Sequence, residues 1–298
     1  MSHLLEIKNL SVNFPSRRGQ VAAVNQVSIS VEKGEVLGLV GESGAGKSTV
    51  GNSVINLLEP PGYISGGEII FDGTRIDQKS NEDMRKIRGA KIGTIFQDPQ
   101  TSLNPLMTIG KQLSETLIET LKISGSSARE KSIELLESVG IPDPVERLNA
   151  YPHQFSGGMR QRVVIALALA GDPDLIIADE PTTALDVSIQ KQILDLIKSL
   201  CKARNLGVII VTHDIGVIAE IADRVAVMYN GQLVEQGTVK QVLQKPKHDY
   251  TKSLISAVPS GDQKLHRFTV VDYIDGSEEK VTLENVSDHW LSKNKSSE

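Results

Sequence analysis

The sequence contains a single cysteine, few aromatic residues and no long apolar run. Because Cys201 has no second thiol to pair with, an intrachain disulfide and a cysteine-based zinc or iron–sulfur site are excluded. This usage fits a reducing compartment. The most apolar stretch, 163–178, is interrupted at 171–174 and falls short of the ~20 apolar residues that a membrane-spanning helix needs. The first residues lack the basic and apolar regions of a secretory signal. Any membrane role is therefore expected to be peripheral.

The charge balance also lacks an excess of positive residues. The chain has 32 Lys plus Arg against 37 Asp plus Glu, a formal net charge of −5. Without a broad positive field, general binding to a nucleic-acid backbone is not expected, although a local basic patch stays open. The 298 residues, 39% of them hydrophobic, are enough for one large domain or two smaller ones with a full core.

Apolar periodicity indicates an α/β protein. Alternation in the first 30 residues predicts antiparallel strands, and Asp72-Gly73 between two short apolar runs predicts a hairpin. Helical spacing from 107 to 148 predicts a helical insert with breaks at 124–127 and 140–144. Buried strands are predicted at 36–40, 175–178, 208–212 and 225–229. Strands that alternate with helices indicate a mostly parallel sheet.

A glycine-rich loop follows the first buried strand and precedes a predicted helix beginning at Ser48. Its sequence fits G-x-x-x-x-G-K-[ST], in which backbone N–H groups and the helix N-terminus bind phosphate. Lys47 can reach the β- and γ-phosphates, and Ser48 can bind Mg²⁺. A plain glycine turn is the alternative, which the strand–loop–helix context disfavours. The loop consists of Gly41, Glu42, Ser43, Gly44, Ala45, Gly46, Lys47, Ser48 and Thr49.

The apolar strand at 175–178 is followed by two carboxylates, Asp179 and Glu180. Ligands of parallel sheets bind at the carboxyl ends of the strands, which is where these side chains are expected. Asp179 can support Mg²⁺, and Glu180 is the candidate general base or water-positioning group for attack on the γ-phosphate. By itself, an Asp-Glu pair at the end of a strand is more often an ordinary solvent-exposed turn. The presence of the phosphate loop makes the catalytic interpretation the better one.

A second helix start with the features of an anion site lies at 156–161. Ser156 is a good N-cap residue for a helix with an apolar body. Gly157 and Gly158, which precede Met159, have no side chains to cover the backbone N–H groups. One nucleotide does not need two such cradles in one chain, so this one is inferred to serve an ATP held by another subunit. A glycine hinge before a core helix is the alternative.

These segments, in this order over roughly residues 3–260, resemble an ATP-binding cassette (ABC) ATPase. The resemblance identifies 41–49 as Walker A, 175–180 as Walker B and 156–161 as the signature motif. With the preceding Phe155, the signature reads FSGGM where LSGGQ is commoner. It implies a P-loop NTPase with an antiparallel β subdomain, a RecA-like parallel-sheet core and a helical subdomain at about 100–165. Residues 1–260 would form this nucleotide-binding domain.

The same resemblance assigns further side chains. Gln97 would be the Q-loop glutamine, which contacts Mg²⁺ and senses the γ-phosphate, and His213 the switch histidine. Ala184, Leu185 and Asp186 would form the D-loop, and Phe14 would stack on adenine. A surface glutamine, an ordinary loop histidine and a core phenylalanine are the alternatives. The resemblance also implies two cassettes stacked head to tail, with each ATP between the Walker A loop of one and the signature of the other.

Two segments match a narrower group. Residues 97–105, QDPQTSLNP, and 248–259, HDYTKSLISAVP, resemble the peptide, opine and nickel uptake subfamily. This implies a heterodimer with a second, different ATPase, two permeases and a solute-binding protein, at the cytoplasmic face of the inner membrane. Peptide is the typical solute, with nickel, opines and others open. The subfamily's cysteine cluster is missing from 261–298, so no iron–sulfur cluster is predicted in this C-terminal extension, for which a strand–turn unit, a docking tail and partial order stay open.

Three other functions fit the sequence less well than an importer ATPase. A soluble ABC ATPase acting on DNA, ribosomes or cofactor assembly should carry heptad arms or a second cassette, which this sequence lacks. A P-loop kinase for a small metabolite leaves 156–161 and His213 unexplained. An ABC exporter ATPase seldom carries the 248–259 motif. We therefore expect an importer subunit that acts on no nucleic acid.

Overall fold

A computed structural model describes residues 3–16, 19–183 and 185–257, together with the backbone of 269–274 and 277–282. The chain divides into two compact units, Met1–Lys245 and Pro246–Glu298. The domain limits expected at 260 and at about 100–165 stay predictions.

The first unit contains a four-stranded antiparallel sheet at the start of the chain. Numbered along the chain, its strands are β1 (Leu5–Ser16), β2 (Gly19–Val31), β4 (Tyr63–Phe71) and β5 (Thr74–Arg75), in the order β2-β1-β4-β5. Asp72 and Gly73, with φ of 45° and 72°, form the two-residue turn between Phe71 and its partner Thr74. Positive φ at both positions is what a type I′ turn requires. The predicted hairpin is confirmed.

A six-stranded sheet forms the centre of the same unit. Its strands are β3 (Val36–Val40), β6 (Ile92–Ile95), β7 (Leu175–Asp179), β8 (Gly207–Thr212), β9 (Arg224–Tyr229) and β10 (Gln232–Thr238). The order is β10-β9-β3-β8-β7-β6, and all neighbours are parallel except β10 and β9. Every residue of β3 and β8 is buried, as expected of strands covered on both faces. One hydrophobic core joins this sheet to the antiparallel one.

Within the described residues, the same unit also contains α-helices. They are α1 (Lys47–Val54), α2 (Asn81–Ile87), α3 (Pro99–Ser102), α4 (Ile109–Leu121), α5 (Gly125–Ser138), α6 (Pro144–Arg147), α7 (Gly157–Leu169), α8 (Val187–Arg204), α9 (Ile215–Ile221) and α10 (Val239–Gln244). The helical insert predicted at 107–148 corresponds to α4 to α6, between β6 and β7. The predicted break near 124–127 is present at 122–124, because the Ser124 hydroxyl accepts a hydrogen bond from the N–H of Ser127 and caps α5. In the described part of the chain, no helix combines the length and apolarity needed to cross a bilayer.

The second unit contains a helix and a two-stranded sheet. The helix is α11 (Asp249–Ser256), and the antiparallel strands are β11 (Thr269–Ile274) and β12 (Ser277–Thr282). This backbone agrees with the strand–turn alternative for the C-terminal extension. Residues 261–268, 275–276 and 283–298 lie outside the described residues.

Candidate functional site

Four neighbouring parallel strands bring the predicted site residues to one edge of the central sheet. Ligands of such sheets bind at the carboxyl ends of the strands. In the order β3, β8, β7 and β6, these ends lead into the glycine-rich loop, His213, the Asp179–Glu180 pair and Gln97. Residues that are far apart in the sequence therefore meet here.

The glycine-rich loop connects β3 to α1 in a conformation that needs glycine. Gly44 and Gly46 have φ of 82° and 94°, a region that side chains disfavour. A side chain at Gly46 would in addition collide with the carbonyl oxygen of Ala23 on β2. The backbone here can therefore approach a phosphate closely, as this loop type requires.

Lys47 lies inside this loop with only 5% of its surface exposed. Its Nζ donates hydrogen bonds to the carbonyl oxygens of Gly41 and Glu42, at 2.8 and 2.7 Å. Burial lowers the pKa of the ammonium, and the charges of Glu180 and Asp179 act in the opposite direction. The positive charge is thus held next to the two carboxylates.

Ser48 and Asp179 form a pair of oxygen ligands across two elements. The Ser48 hydroxyl, on α1, donates to Asp179 Oδ1, at the end of β7, over 3.1 Å. Burial raises the pKa of the Asp179 carboxyl against the effect of the Ser48 hydrogen bond, and the charge of Glu180 raises it further. Mg²⁺ prefers oxygen ligands. This pair offers a hydroxyl and a buried carboxylate whose negative charge is only partly compensated. The residues present therefore fit the predicted metal.

Glu180 is the most connected side chain at this edge. His213 Nδ1 lies 2.8 Å from its Oε1, while Gln97 Nε2 and Thr183 Oγ1 each donate to its Oε2 over 2.9 Å. Burial alone would raise the pKa of Glu180, but the hydrogen bonds from His213 and Thr183 outweigh it and the pKa is lowered. The carboxylate is therefore ionised at neutral pH.

The backbone of Glu180 is unusual as well. Its φ of 47° lies in the left-handed region, where a residue with a side chain costs about 1–2 kcal/mol. Its N–H donates to the carbonyl oxygen of Val211 on β8, at 2.8 Å. The neighbouring strand thus holds the conformation that turns this side chain toward the site.

Two contacts of Glu180 differ from what the sequence motifs predict. Gln97 is bonded to Glu180 rather than to the Ser48–Asp179 pair, so its predicted contact with Mg²⁺ stays a prediction. Thr183 was missed by the sequence analysis. The available signal was a hydroxyl three residues after the carboxylate in a turn, but the sequence does not show which way that hydroxyl points.

The predicted signature motif lies on α7 and packs against α8. The Ser156 hydroxyl accepts a hydrogen bond from the N–H of Met159 over 3.3 Å and caps the helix, as predicted. Gly157 faces Leu185 of the predicted D-loop, and a side chain at Gly158 would come within 2.7 Å of Ile189.

Asp186 is the N-cap residue of α8 and makes no side-chain capping bond. Within the described residues, no hydrogen bond joins the side chain of Ser156 or Asp186 to Lys47, Asp179 or Glu180. The signature and the D-loop segment therefore adjoin each other, and in the described structure neither of these two side chains is hydrogen-bonded to the carboxylate network. Ala184, also predicted for the D-loop, lies outside the described residues.

Phe14 lies near the end of β1 and is partly buried. Its ring packs against the hydrophobic core and faces Gly62, where a side chain would overlap the ring. Part of the ring surface thus belongs to the core, as expected if Phe14 is a core phenylalanine. Its predicted contact with adenine stays a prediction.

Comparison with family models gives two matches in this chain. Residues 24–183 match the ABC transporter family, and residues 234–281 match the oligopeptide/dipeptide transporter C-terminal region. The first match covers the glycine-rich loop, the signature and both carboxylates. The second covers α11 and most of the β11–β12 hairpin.

Curated relatives agree with both matches. The oligopeptide transport ATP-binding protein OppD of Bacillus subtilis (strain 168) is 52% identical over 270 residues, which is 89% of this chain and 75% of the relative. The dipeptide transport ATP-binding protein DppD of the same organism is 50% identical over 273 residues, 91% of this chain and 82% of the relative. The predicted family is confirmed.

Solved structures confirm the predicted fold class. The ATP-binding cassette MJ0796, described as a dimer in a post-hydrolysis state with ADP and Pi, has a TM-score of 0.69 at 31% identity and covers 79% of this chain and 98% of its own. CbiO1 from Clostridium perfringens, part of the ABC transporter complex cbiONQ, has a TM-score of 0.71 at 29% identity and covers 82% of this chain and 92% of its own.

Proposed function

The chain belongs to the ABC transporter family, and on that premise we propose that it is the ATP-hydrolysing subunit of a membrane importer for oligopeptides or dipeptides. The observation that carries the ATPase activity is the network on Glu180, next to a buried Lys47 and the Ser48–Asp179 pair. The match at 234–281 and the names of the relatives support the peptide class of solute.

The glycine-rich loop binds the phosphates of ATP. Its backbone N–H groups and the N-terminus of α1 face the phosphate oxygens, and Lys47 supplies a positive charge to the β- and γ-phosphates. Ser48 and Asp179, with the amide oxygen of Gln97, would hold Mg²⁺. When bound, the ion neutralises charge on the phosphates and orients them. Phe14 would stack on the adenine ring.

Glu180 orients the attacking water and accepts its proton. The water oxygen bonds to the γ-phosphorus, the bond from that phosphorus to the ADP oxygen breaks, and the proton passes through the carboxylate to the phosphate released. Because the pKa of Glu180 is low, the carboxylate is ionised and ready to accept a hydrogen bond from water. His213 contacts Glu180 through Nδ1, so its other ring nitrogen is available for the γ-phosphate.

A second cassette completes the ATP site. The signature of this chain, Ser156 to Met159, and Asp186 of the D-loop serve the nucleotide held by the partner's glycine-rich loop. The separation of the signature from the carboxylate network and the dimeric form in which MJ0796 is described support this arrangement. The partner is a second, different ATPase subunit, and the two form a heterodimer.

The assembly lies at the cytoplasmic face of the inner membrane, beneath two permeases that a solute-binding protein supplies. The helical insert and the segment around Gln97 carry the permease contact. Phe96 and Leu106, which flank this segment, support the proposal because they are apolar and 47% and 86% exposed. No nucleic acid takes part.

Glu180→Gln tests the proposed hydrolysis. The amide keeps the size of the side chain but cannot take a proton, so hydrolysis at the site built on this chain should fall at least 100-fold. ATP binding and closure of the dimer should persist. Glu82→Gln on the exposed start of α2 is the matched control and should hydrolyse ATP normally. Unchanged phosphate release by Glu180→Gln would contradict the assignment.

Isolation of the chain from gently solubilised membranes tests the transport role. Mass spectrometry should find two multi-span permeases and a second ATPase, together with a binding protein whose bound solute identifies the substrate. A chain that stays in the soluble fraction, or that comes with ribosomes or DNA, would favour the soluble ATPase and overturn the importer.

A further inference from the structure

The turn that follows β7 carries a hydroxyl bonded to the proposed base. Thr183 Oγ1 donates to Glu180 Oε2 over 2.9 Å, and the N–H of Thr183 donates to the carbonyl oxygen of Glu180 over 3.2 Å. Both bonds close the same four-residue turn. The half-buried hydroxyl is therefore held against the carboxylate by a backbone of fixed length.

The two oxygens of Glu180 differ in how many partners they have. Each carboxylate oxygen has about two acceptor directions. Gln97 and Thr183 take both on Oε2, whereas in the described part of the chain His213 is the only side chain bonded to Oε1. One acceptor direction of Oε1 is thus left for a water molecule.

The two donors to Oε2 also differ in what holds them. Gln97 follows β6 and leads into the helical insert, 83 residues away in the chain. Its bond to Glu180 depends on the position of that insert. Thr183 is three residues from Glu180, so its bond depends on the turn alone. The hydroxyl is thus the donor whose position is fixed by the same turn that carries the carboxylate.

We propose that Thr183 is a positioning residue for hydrolysis: its hydroxyl holds Oε2 of Glu180 and so leaves Oε1 as the oxygen that receives the attacking water. This inference rests on the proposed function of Glu180. It adds a side chain that acts through its hydrogen bond to Glu180.

Thr183→Val tests this role, because valine keeps the shape of threonine but cannot donate a hydrogen bond. The full chain is studied in the assembly isolated from membranes, with Mg²⁺ and ATP, and the hydrolysis that Glu180→Gln removes defines the contribution of this chain's site. Thr183→Val should lower that part of kcat about tenfold, since it removes a hydrogen bond to a charged group, and leave KM for ATP unchanged. Thr183→Ser, which restores the donor, should restore kcat.

Three controls separate the possible explanations. Thr183→Val combined with Glu180→Gln should be no slower than Glu180→Gln alone. Thr183→Ala repeats the loss without a branched side chain, and the unfolding midpoint shows whether each variant is folded. Ser199→Ala removes an exposed hydroxyl that donates within α8, to the carbonyl oxygen of Leu196, and should hydrolyse ATP normally.

Two results would overturn the inference and leave the proposed function standing. One is full Glu180-dependent hydrolysis by Thr183→Val; the other is a Thr183→Ser variant as slow as Thr183→Val, which would assign the loss to packing. If Glu180→Gln itself hydrolyses ATP normally, the proposed function fails first and the inference fails with it.

Discussion

The carboxylate edge and the signature helix are built in opposite ways. At the edge, the side chains of Gln97, His213 and Thr183, which follow β6, β8 and β7, lie within 2.9 Å of the Glu180 carboxylate. At the start of α7, the Ser156 hydroxyl caps its own helix, Gly157 faces Leu185, and Gly158 packs on Ile189 of α8. The first region is linked by side-chain hydrogen bonds across the sheet, whereas the second is held by a helix cap and by packing.

This difference supports the proposal that the edge is complete within one chain and that the signature acts together with a partner. The edge contains the charges and hydrogen bonds for binding and splitting a phosphate. The helix N-terminus at Ser156 has the dipole and bare backbone for an anion, but it is separate from the carboxylate network. Variants in the two regions should therefore differ in whether they weaken nucleotide binding by the single chain.

Lys47→Ala should have the largest effect. Removal of the buried ammonium takes away the charge that faces the phosphates, so ATP binding by the isolated chain should be lost and hydrolysis in the assembly should fall at least 100-fold. Equilibrium binding of a fluorescent ATP analogue and phosphate release measure the two. Normal binding by Lys47→Ala would show that this edge is not the nucleotide site.

Ser156→Ala should have an intermediate effect that the isolated chain does not show. Loss of the cap should lower the free energy of unfolding by about 1 kcal/mol and slow hydrolysis in the assembly roughly tenfold, because the helix end that faces the partner's ATP is loosened. ATP binding by the isolated chain should be unchanged. Weaker binding there would contradict the separation of the two regions.

The matched control for this change is Ser80→Ala, at the start of α2 and outside the helical insert. Ser80 accepts a hydrogen bond from the N–H of Asp83 over 3.2 Å, so it caps its helix as Ser156 does. It should lose a similar amount of stability without slowing hydrolysis. A similar loss of hydrolysis in both variants would mean that cap stability alone explains the effect.

Asp179→Asn should have the smallest effect on stability, and in the opposite direction. Burial raises the pKa of Asp179, so its charge opposes folding at neutral pH, and stability should rise as the pH falls through that pKa. Without Mg²⁺ and nucleotide, the asparagine variant should therefore have a slightly higher unfolding midpoint than the wild type and a weaker dependence on pH.

Added Mg²⁺ and ATP should reverse the order of the two unfolding midpoints. They should raise the midpoint of the wild type by mass action and that of Asp179→Asn much less. A lower midpoint for Asp179→Asn in the absence of ligand would show that the carboxylate already has the partners it needs.

Much of the site could be predicted from local patterns. The loop at 41–49, the strand that ends at Asp179 and the cap at Ser156 each lie in one continuous segment, and all three are confirmed as structural elements. The family, the fold class and the ATPase activity are confirmed by the matches with known proteins. The break predicted at 124–127 lies at 122–124, because Ser124 caps the next helix and the small residues after it already belong to that helix.

Local sequence is enough for these elements because loop, strand and cap depend on residues a few positions apart. The convergence on Glu180 depends instead on the strand order β3-β8-β7-β6, which long-range pairing sets. That order brings Gln97 and His213 to a carboxylate 83 and 33 residues away, and β8 supports the left-handed backbone that aims it. No local pattern encodes such a meeting, so the bonds from Gln97 and His213 to this carboxylate were decided by the packed sheet, whereas the Thr183 bond belongs to the local turn.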